Sequence, residues 1–170
     1  MNFIKVFIMI LLINGVFNSL SFADDPKQFG PSFKFDASLP LEITSDQLTI
    51  EQNIGQAIFT GNVIASQGDL VLTAVKVIVE YQVTDSRMTS NMKKLTAKED
   101  VTIISKTQSA EASTVVYNIK GETIIMSGNV LLKEGVSATS GDKLTINLKS
   151  GSRRMEGNVR TLIISEEKNE

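Results

Sequence analysis

Gly-Asn-Val occurs three times in this chain, at 61–63, 128–130 and 157–159, each time behind a run that alternates apolar and polar residues. A tripeptide that returns in one local setting constrains a fold strongly, because a repeated conformation needs a repeated architecture around it. Two sets of landmarks put the repeat in register. Leu48, Val77, Val115 and Leu144 sit at the centres of strand-like runs, spaced 29, 38 and 29 residues apart. Gly61, Glu99, Gly128 and Gly157 each precede a valine by two residues and are spaced 38, 29 and 29 apart. Every landmark lies 16 residues before the next centre. The chain reads as four copies of a 29-residue unit, with nine extra residues in the second, inside the polar stretch 81–100.

The unit is built from strands. "LEITSDQLTIEQ", "DLVLTAVKVIVEY", "STVVYNIK" and "DKLTINLKS" alternate apolar and polar residues and are rich in β-branched side chains, the pattern of a half-buried strand. No stretch holds a helical apolar spacing over three turns. Turn residues recur at Gly55, Gly68-Asp69, Lys120-Gly121, Ser140-Gly141-Asp142 and Ser150-Gly151. A glycine inside a strand pattern marks a bulge or sharp bend. The three Gly-Asn-Val sites, and Glu99-Asp100-Val101 in the same place, are therefore expected to be corners where a long hairpin folds over its apolar face. A second break precedes each strand centre, as at Ser45-Asp46. The predicted fold is all-β: an elongated, twisted, jelly-roll-like sandwich in which two sheets face each other.

Alternation picks the inward residues. They are Leu41, Ile43, Leu48, Ile50, Phe59, Val63, Leu72, Val77, Val79, Val115, Tyr117, Ile119, Met126, Val130, Leu144 and Ile146, with Leu148 completing the set. Such an interior is either a dry core or a greasy groove, since few bulky aromatics are present to fill it.

The N-terminus reads as a targeting segment. Lys5 precedes an apolar run, Val6–Ile13, and Ser21-Phe22-Ala23 gives a small-x-small end before Asp24-Asp25. This is the form of a secretory signal peptide, residues 1–23. The apolar run is broken at Asn14-Gly15, short for a membrane span. Removing Lys5 leaves 16 basic against 19 acidic residues, a net charge of −3. An exported chain without a single cysteine suits a periplasm-like space better than a disulfide-stapled extracellular module. Residues 24–40 hold all three prolines and form an expected flexible leader, whose aromatic residues are Phe29, Phe33 and Phe35. The β domain is expected over 41–165, with a tail at 166–170.

Composition narrows the function. There is no histidine and no cysteine, which removes the commonest general base and the commonest transition-metal ligands at neutral pH. No cofactor or metal is expected, and the charge balance offers no basic face for nucleic acid. The carboxylate pairs Asp24-Asp25, Glu99-Asp100 and Glu166-Glu167 fall in expected turns or tails. "SNMK" at 90–93 matches a Ser-x-x-Lys pattern by letter only, outside a helix. An enzyme is not expected.

Three blocks together carry a family resemblance. The first is Pro40-Leu41-x-Ile43-x-Ser45-Asp46, followed by Phe59-Thr60-Gly61-Asn62-Val63, Gln67-Gly68, and Ala74 ahead of Val77 and Val79. "STVVYNIKGETIIMSGNVLL" and "SGDKLTINL" are the others. Over roughly 40–165 the chain resembles the LptA/OstA-like periplasmic lipopolysaccharide-transport proteins. It departs from their pattern at Ala74-Val75, where Ala-Asp is expected, and in its longer proline-containing leader. The resemblance implies an open jelly roll whose groove binds the acyl chains of lipid A. It places Leu41 and Ile43 at the groove entrance and Tyr117 and Ile119 inside. It also implies partners: inner- and outer-membrane transport proteins, and further copies of the chain, joined head to tail by edge-strand addition. The first strand (41–44) and the last (159–164) are the candidate edges. Lys93, Lys94, Arg153 and Arg154 are candidate phosphate contacts, with solvated surface as the plainer reading. A membrane-anchored component of the same system, and a structural β-repeat protein without lipid cargo, are the alternatives.

Overall fold

The structure, a computed structural model, describes residues 39–106 and 108–164. The signal segment, nearly all of the leader, with its three phenylalanines, and the tail at 166–170 lie outside the described residues. Ten strands follow one another: β1 Glu42–Thr44, β2 Gln47–Glu51, β3 Gln56–Gln67, β4 Leu70–Thr84, β5 Arg87–Ser105, β6 Gln108–Asn118, β7 Thr123–Glu134, β8 Ser137–Asn147, β9 Arg153–Glu156 and β10 Arg160–Leu162. The described chain holds no helix, as the period-2 pattern predicts.

All ten strands belong to one antiparallel sheet, ordered β1-β3-β4-β5-β6-β7-β8-β10, with β2 also on β3 and β9 also on β8. The expected pair of facing sheets is thus a single sheet folded on itself. From β3 to β8 neighbours in the sheet are neighbours in sequence, a meander of hairpins, while at the ends β1 pairs with β3 and β10 with β8, each past an intervening strand. β1 and β2 share the length of β3 end to end, and β9 and β10 share β8 in the same way.

The fold line is the row of corners. Register shifts fall between Thr60 and Val63, Thr73 and Lys76, Lys98 and Val101, Glu111 and Thr114, and Ser127 and Val130. The Gly-Asn sites and Glu99-Asp100 therefore stand where expected. Both residues of each corner are left-handed: φ is 77° and 44° at Gly61-Asn62, 67° and 50° at Glu99-Asp100, 83° and 51° at Gly128-Asn129, and 74° and 47° at Gly157-Asn158. Asparagine tolerates this region better than most residues. Asn62 Nδ2 donates to Asp46 Oδ2 at 2.8 Å, and Asn158 Nδ2 donates to Asp142 Oδ2 at 2.9 Å. Asn62 and Asn158 thus tie their corners to the carboxylates that face them.

The corners divide the sheet into a lower half, carrying β2 and β9, and an upper half, carrying β1 and β10. The extra residues of the second unit lengthen β4 and β5 in the lower half. Their hairpin turns at Asp85-Ser86, both at positive φ, a two-residue connection suited to the twist of paired strands. "SNMK" lies on β5 in this hairpin.

Candidate functional site

Cross-strand rows run unbroken along the inner face. In the lower half one row is Leu48, Phe59, Val77, Ala97, Val115, Met126, Leu144, Met155, and the next is Ile50, Ala57, Val79, Leu95, Tyr117, Ile124, Ile146, Arg153. In the upper half Ile43, Ala65, Leu72, Ile103, Ala110, Leu132, Thr139 and Thr161 make the matching row. Val77, Ala97 and Met126 are wholly buried, and a single sheet layer cannot bury its own inner face. The other half supplies the cover. Each such aliphatic side chain removed from water contributes about 1.5–3 kcal/mol.

Between the halves lies a space of about 40 Å³. Leu41, Ala65, Gln67, Leu70, Leu72 and Ile103 line it from the upper half, and Leu95, Val115, Tyr117 and Ile124 from the lower. This is room for a few water molecules, far less than an acyl chain occupies. Gln67 Nε2 donates to the Leu39 carbonyl at 2.8 Å. Its Oε1 is buried and has no hydrogen-bond partner among the described residues. Burial, aided by the Glu122 charge, holds the Tyr117 phenol above the usual tyrosine range.

The sixteen expected lining residues divide by position. Val63, Leu72, Val77, Val79, Val115, Tyr117, Met126, Val130, Leu144 and Ile146 are buried. Leu41, Ile43, Phe59 and Ile119, like Leu148, are partly buried against them. Leu48 and Ile50 are the two that little covers. They stand in inner-face rows, yet they are 50% and 52% exposed, because β2 is an edge strand with no neighbour on its outer side. Alternation names the face of a residue and is silent on whether anything covers it.

Other inner residues escaped the pattern reading. Leu95, Ala97, Val101 and Ile103 are core, but the polar stretch around Glu99-Asp100 hides their alternation, and only the Val101 landmark pointed there. Small Ala57, Ala65 and Ala110 are core too. Charged Arg153 and Glu134 stand at inner-face positions, which no apolar pattern would suggest. Of the acidic pairs, Glu99-Asp100 forms a corner and the other two lie outside the described residues. Among the described residues, no three His, Cys, Asp or Glu side chains are grouped to hold a metal ion, and no helix is long and apolar enough to cross a membrane.

This geometry meets a known family. The profile of the LptA/(LptD N-terminal domain) LPS transport proteins matches residues 42–152, from the first strand to the foot of β9. The chain belongs to that family. Relatives in it include the lipopolysaccharide export system protein LptA of Haemophilus influenzae, 26% identical over 75% of this chain and 76% of its own length. LptA of Escherichia coli K12 is 28% identical over 67% of this chain and 63% of its own length. An uncharacterized protein of Rhizobium meliloti, R00383, is 30% identical over 69% of this chain and 65% of its own. The match thus spans less than two thirds of the last two. The crystal structure of LptH from Pseudomonas aeruginosa, described as the LptA-homologous periplasmic component of a lipopolysaccharide transport device, superposes with a TM-score of 0.66. It covers 79% of this chain and all of LptH at 14% identity, which establishes a shared LptA-like β-jelly roll.

Proposed function

We propose that this protein is a periplasmic carrier of lipopolysaccharide. It would bridge inner- and outer-membrane complexes and shield lipid A acyl chains in the trough between its two half-sheets. The observation that carries the reading is the continuous aliphatic inner face, eight strands long, in a member of a lipopolysaccharide-transport family. A buried methylene contributes about 0.8 kcal/mol, so such a face can keep several chains from water. Aliphatic contacts are non-directional, so no single position holds the cargo, which suits passage along a conduit. Sugars and phosphates would stay at the open side.

Partners fit the two ends of the sheet. β1 with β2 and β9 with β10 leave backbone groups unpaired on their outer sides, and an extended strand binds such an edge through main-chain hydrogen bonds. Head-to-tail self-association and docking to the membrane complexes would both use these ends. Ile163→Pro, just beyond β10 at a residue 76% exposed, should weaken end-to-end association. Unchanged light scattering would remove that edge from the account.

One observation favours a second reading. The small space between the halves is what a structural β-repeat protein with a dry core would show. A photoreactive residue placed at Ile43 or at Tyr117 discriminates. A carrier gives adducts with lipopolysaccharide from both, and none from the outward-facing Ile125; a dry core gives none from any.

A further inference from the structure

The pocket between the halves holds only about 40 Å³, so lipid entry there requires the two halves to part. What holds them at the mouth is therefore informative. Four ion pairs join described residues. Lys94–Glu80 stays in the lower half, and Lys106–Asp69 and Lys133–Glu111 stay in the upper. Arg153–Glu134 joins the two. Arg153 opposes buried Ile146 on β9 in the lower half, and Glu134 opposes buried Gln108 on β7 in the upper half. Both side chains are on the inner face near the free strand ends, opposite the fold line. Gln108 Nε2 also donates to Glu134 at 2.5 Å. The Arg153 side chain is 16% exposed, so the pair is shielded from full solvent screening.

Resting on the carrier reading, we infer that Arg153 and Glu134 are the clasp of the trough and that Arg153 receives the anionic headgroup of the cargo. A guanidinium binds phosphate and carboxylate in the same forked geometry. A phosphate at the mouth would displace Glu134 from Arg153, free the two halves, and leave the acyl chains facing the aliphatic rows. Cargo entry and opening become one exchange of partners, selective for a phosphate attached to apolar chains.

The two partners then have opposite effects on binding. Arg153→Gln removes the phosphate contact and should bind lipopolysaccharide about tenfold more weakly, a typical worth for one charge-assisted hydrogen bond. Glu134→Gln removes the competitor and leaves the arginine. It should bind about two- to fivefold more tightly, as expected for releasing one partly exposed ion pair. Chemically dephosphorylated lipopolysaccharide has no phosphate to exchange for Glu134, so both changes should bind it about two- to fivefold more tightly, because each one breaks the clasp. Opening is read separately. The chain has no cysteine, so spin labels at Val136→Cys and Ser150→Cys, exposed at upper- and lower-half turns, report the mouth alone. Pulsed electron resonance should show their separation lengthen when lipopolysaccharide is added, and already be lengthened without ligand in Glu134→Gln. Inorganic phosphate alone should leave it unchanged; if it opens the mouth, the site takes free anions and the proposal fails. The proposal also fails if both variants shift the binding of phosphorylated lipopolysaccharide the same way, the result of a purely structural clasp. If the unsubstituted protein binds neither form of the lipid, the carrier reading itself is what falls.

Discussion

Gly157 and Glu99 occupy equivalent corners and answer to different neighbours. A Cβ at Gly157 would run into the Asp142 carboxylate, and one at Gly61 into that of Asp46. The residue two before the strand centre stands against each glycine corner, Asp46 at Gly61, Ser113 at Gly128 and Asp142 at Gly157, and Val75 holds that sequence position for the Glu99 corner. Where that residue is Val75 it brings no carboxylate or hydroxyl over the corner, and the chain tolerates Glu99 at φ 67°. The two departures, Val75 for aspartate and Glu99 for glycine, are thus one departure seen from both strands. Gly157→Ala should cost about 2 kcal/mol or more, the left-handed penalty for an L residue plus the clash. Glu99→Gly should lower stability little or raise it, since it relieves that same penalty. Urea midpoints of the two variants check the contrast. Tyr117 gives a second test. Its phenol titrates above the usual value of 10.0 because burial disfavours the phenolate. The folded state then holds its proton where the unfolded state gives it up. The associated stability is present below pH 10 and is lost as pH rises beyond it. Tyr117→Phe should therefore lose less stability than the parent as pH is raised above about 10, the ordinary tyrosine value.

At the scale of strands, the meander makes each element depend on its two neighbours. Lys76 and Lys98 face each other directly on β4 and β5, and like charges in that position are unfavourable. Lys98→Glu should therefore raise the urea midpoint, by a stabilisation of about 0.2–1 kcal/mol. The strands at the two ends are the other lesson. β2 and β9 cover only part of β3 and β8, and they leave Leu48 and Ile50 half exposed. A chain ending after Asn147 would bare the full length of β8, an 11-residue edge. It should self-associate more readily than the intact chain in light scattering, since a long unpaired edge recruits another strand.

Over the whole molecule, the inner rows and the fold line explain each other. Every strand bends in the same place, so the apolar positions of both halves meet, and side chains such as Met126 reach zero exposure. Met126→Ala should cost about 2–5 kcal/mol, the range for emptying a buried site of this size, measured by urea unfolding. The corners, the all-β class and most of the buried inner face were readable along the chain. Each is carried by local terms: period-2 alternation, β-branched side chains and Gly-Asn pairs that accept left-handed backbone. Four features belong to the tertiary structure alone. The two expected sheets are one, because pairing partners are chosen by hairpin geometry and not by a strand's own sequence. Leu48 and Ile50 stay in contact with water, because cover depends on what lies beyond the edge. Leu95, Ala97 and Ile103 enter the core across a stretch that looks polar. Arg153 meets Glu134 because folding the sheet brings together strands two places apart, and no pattern within either strand records that contact.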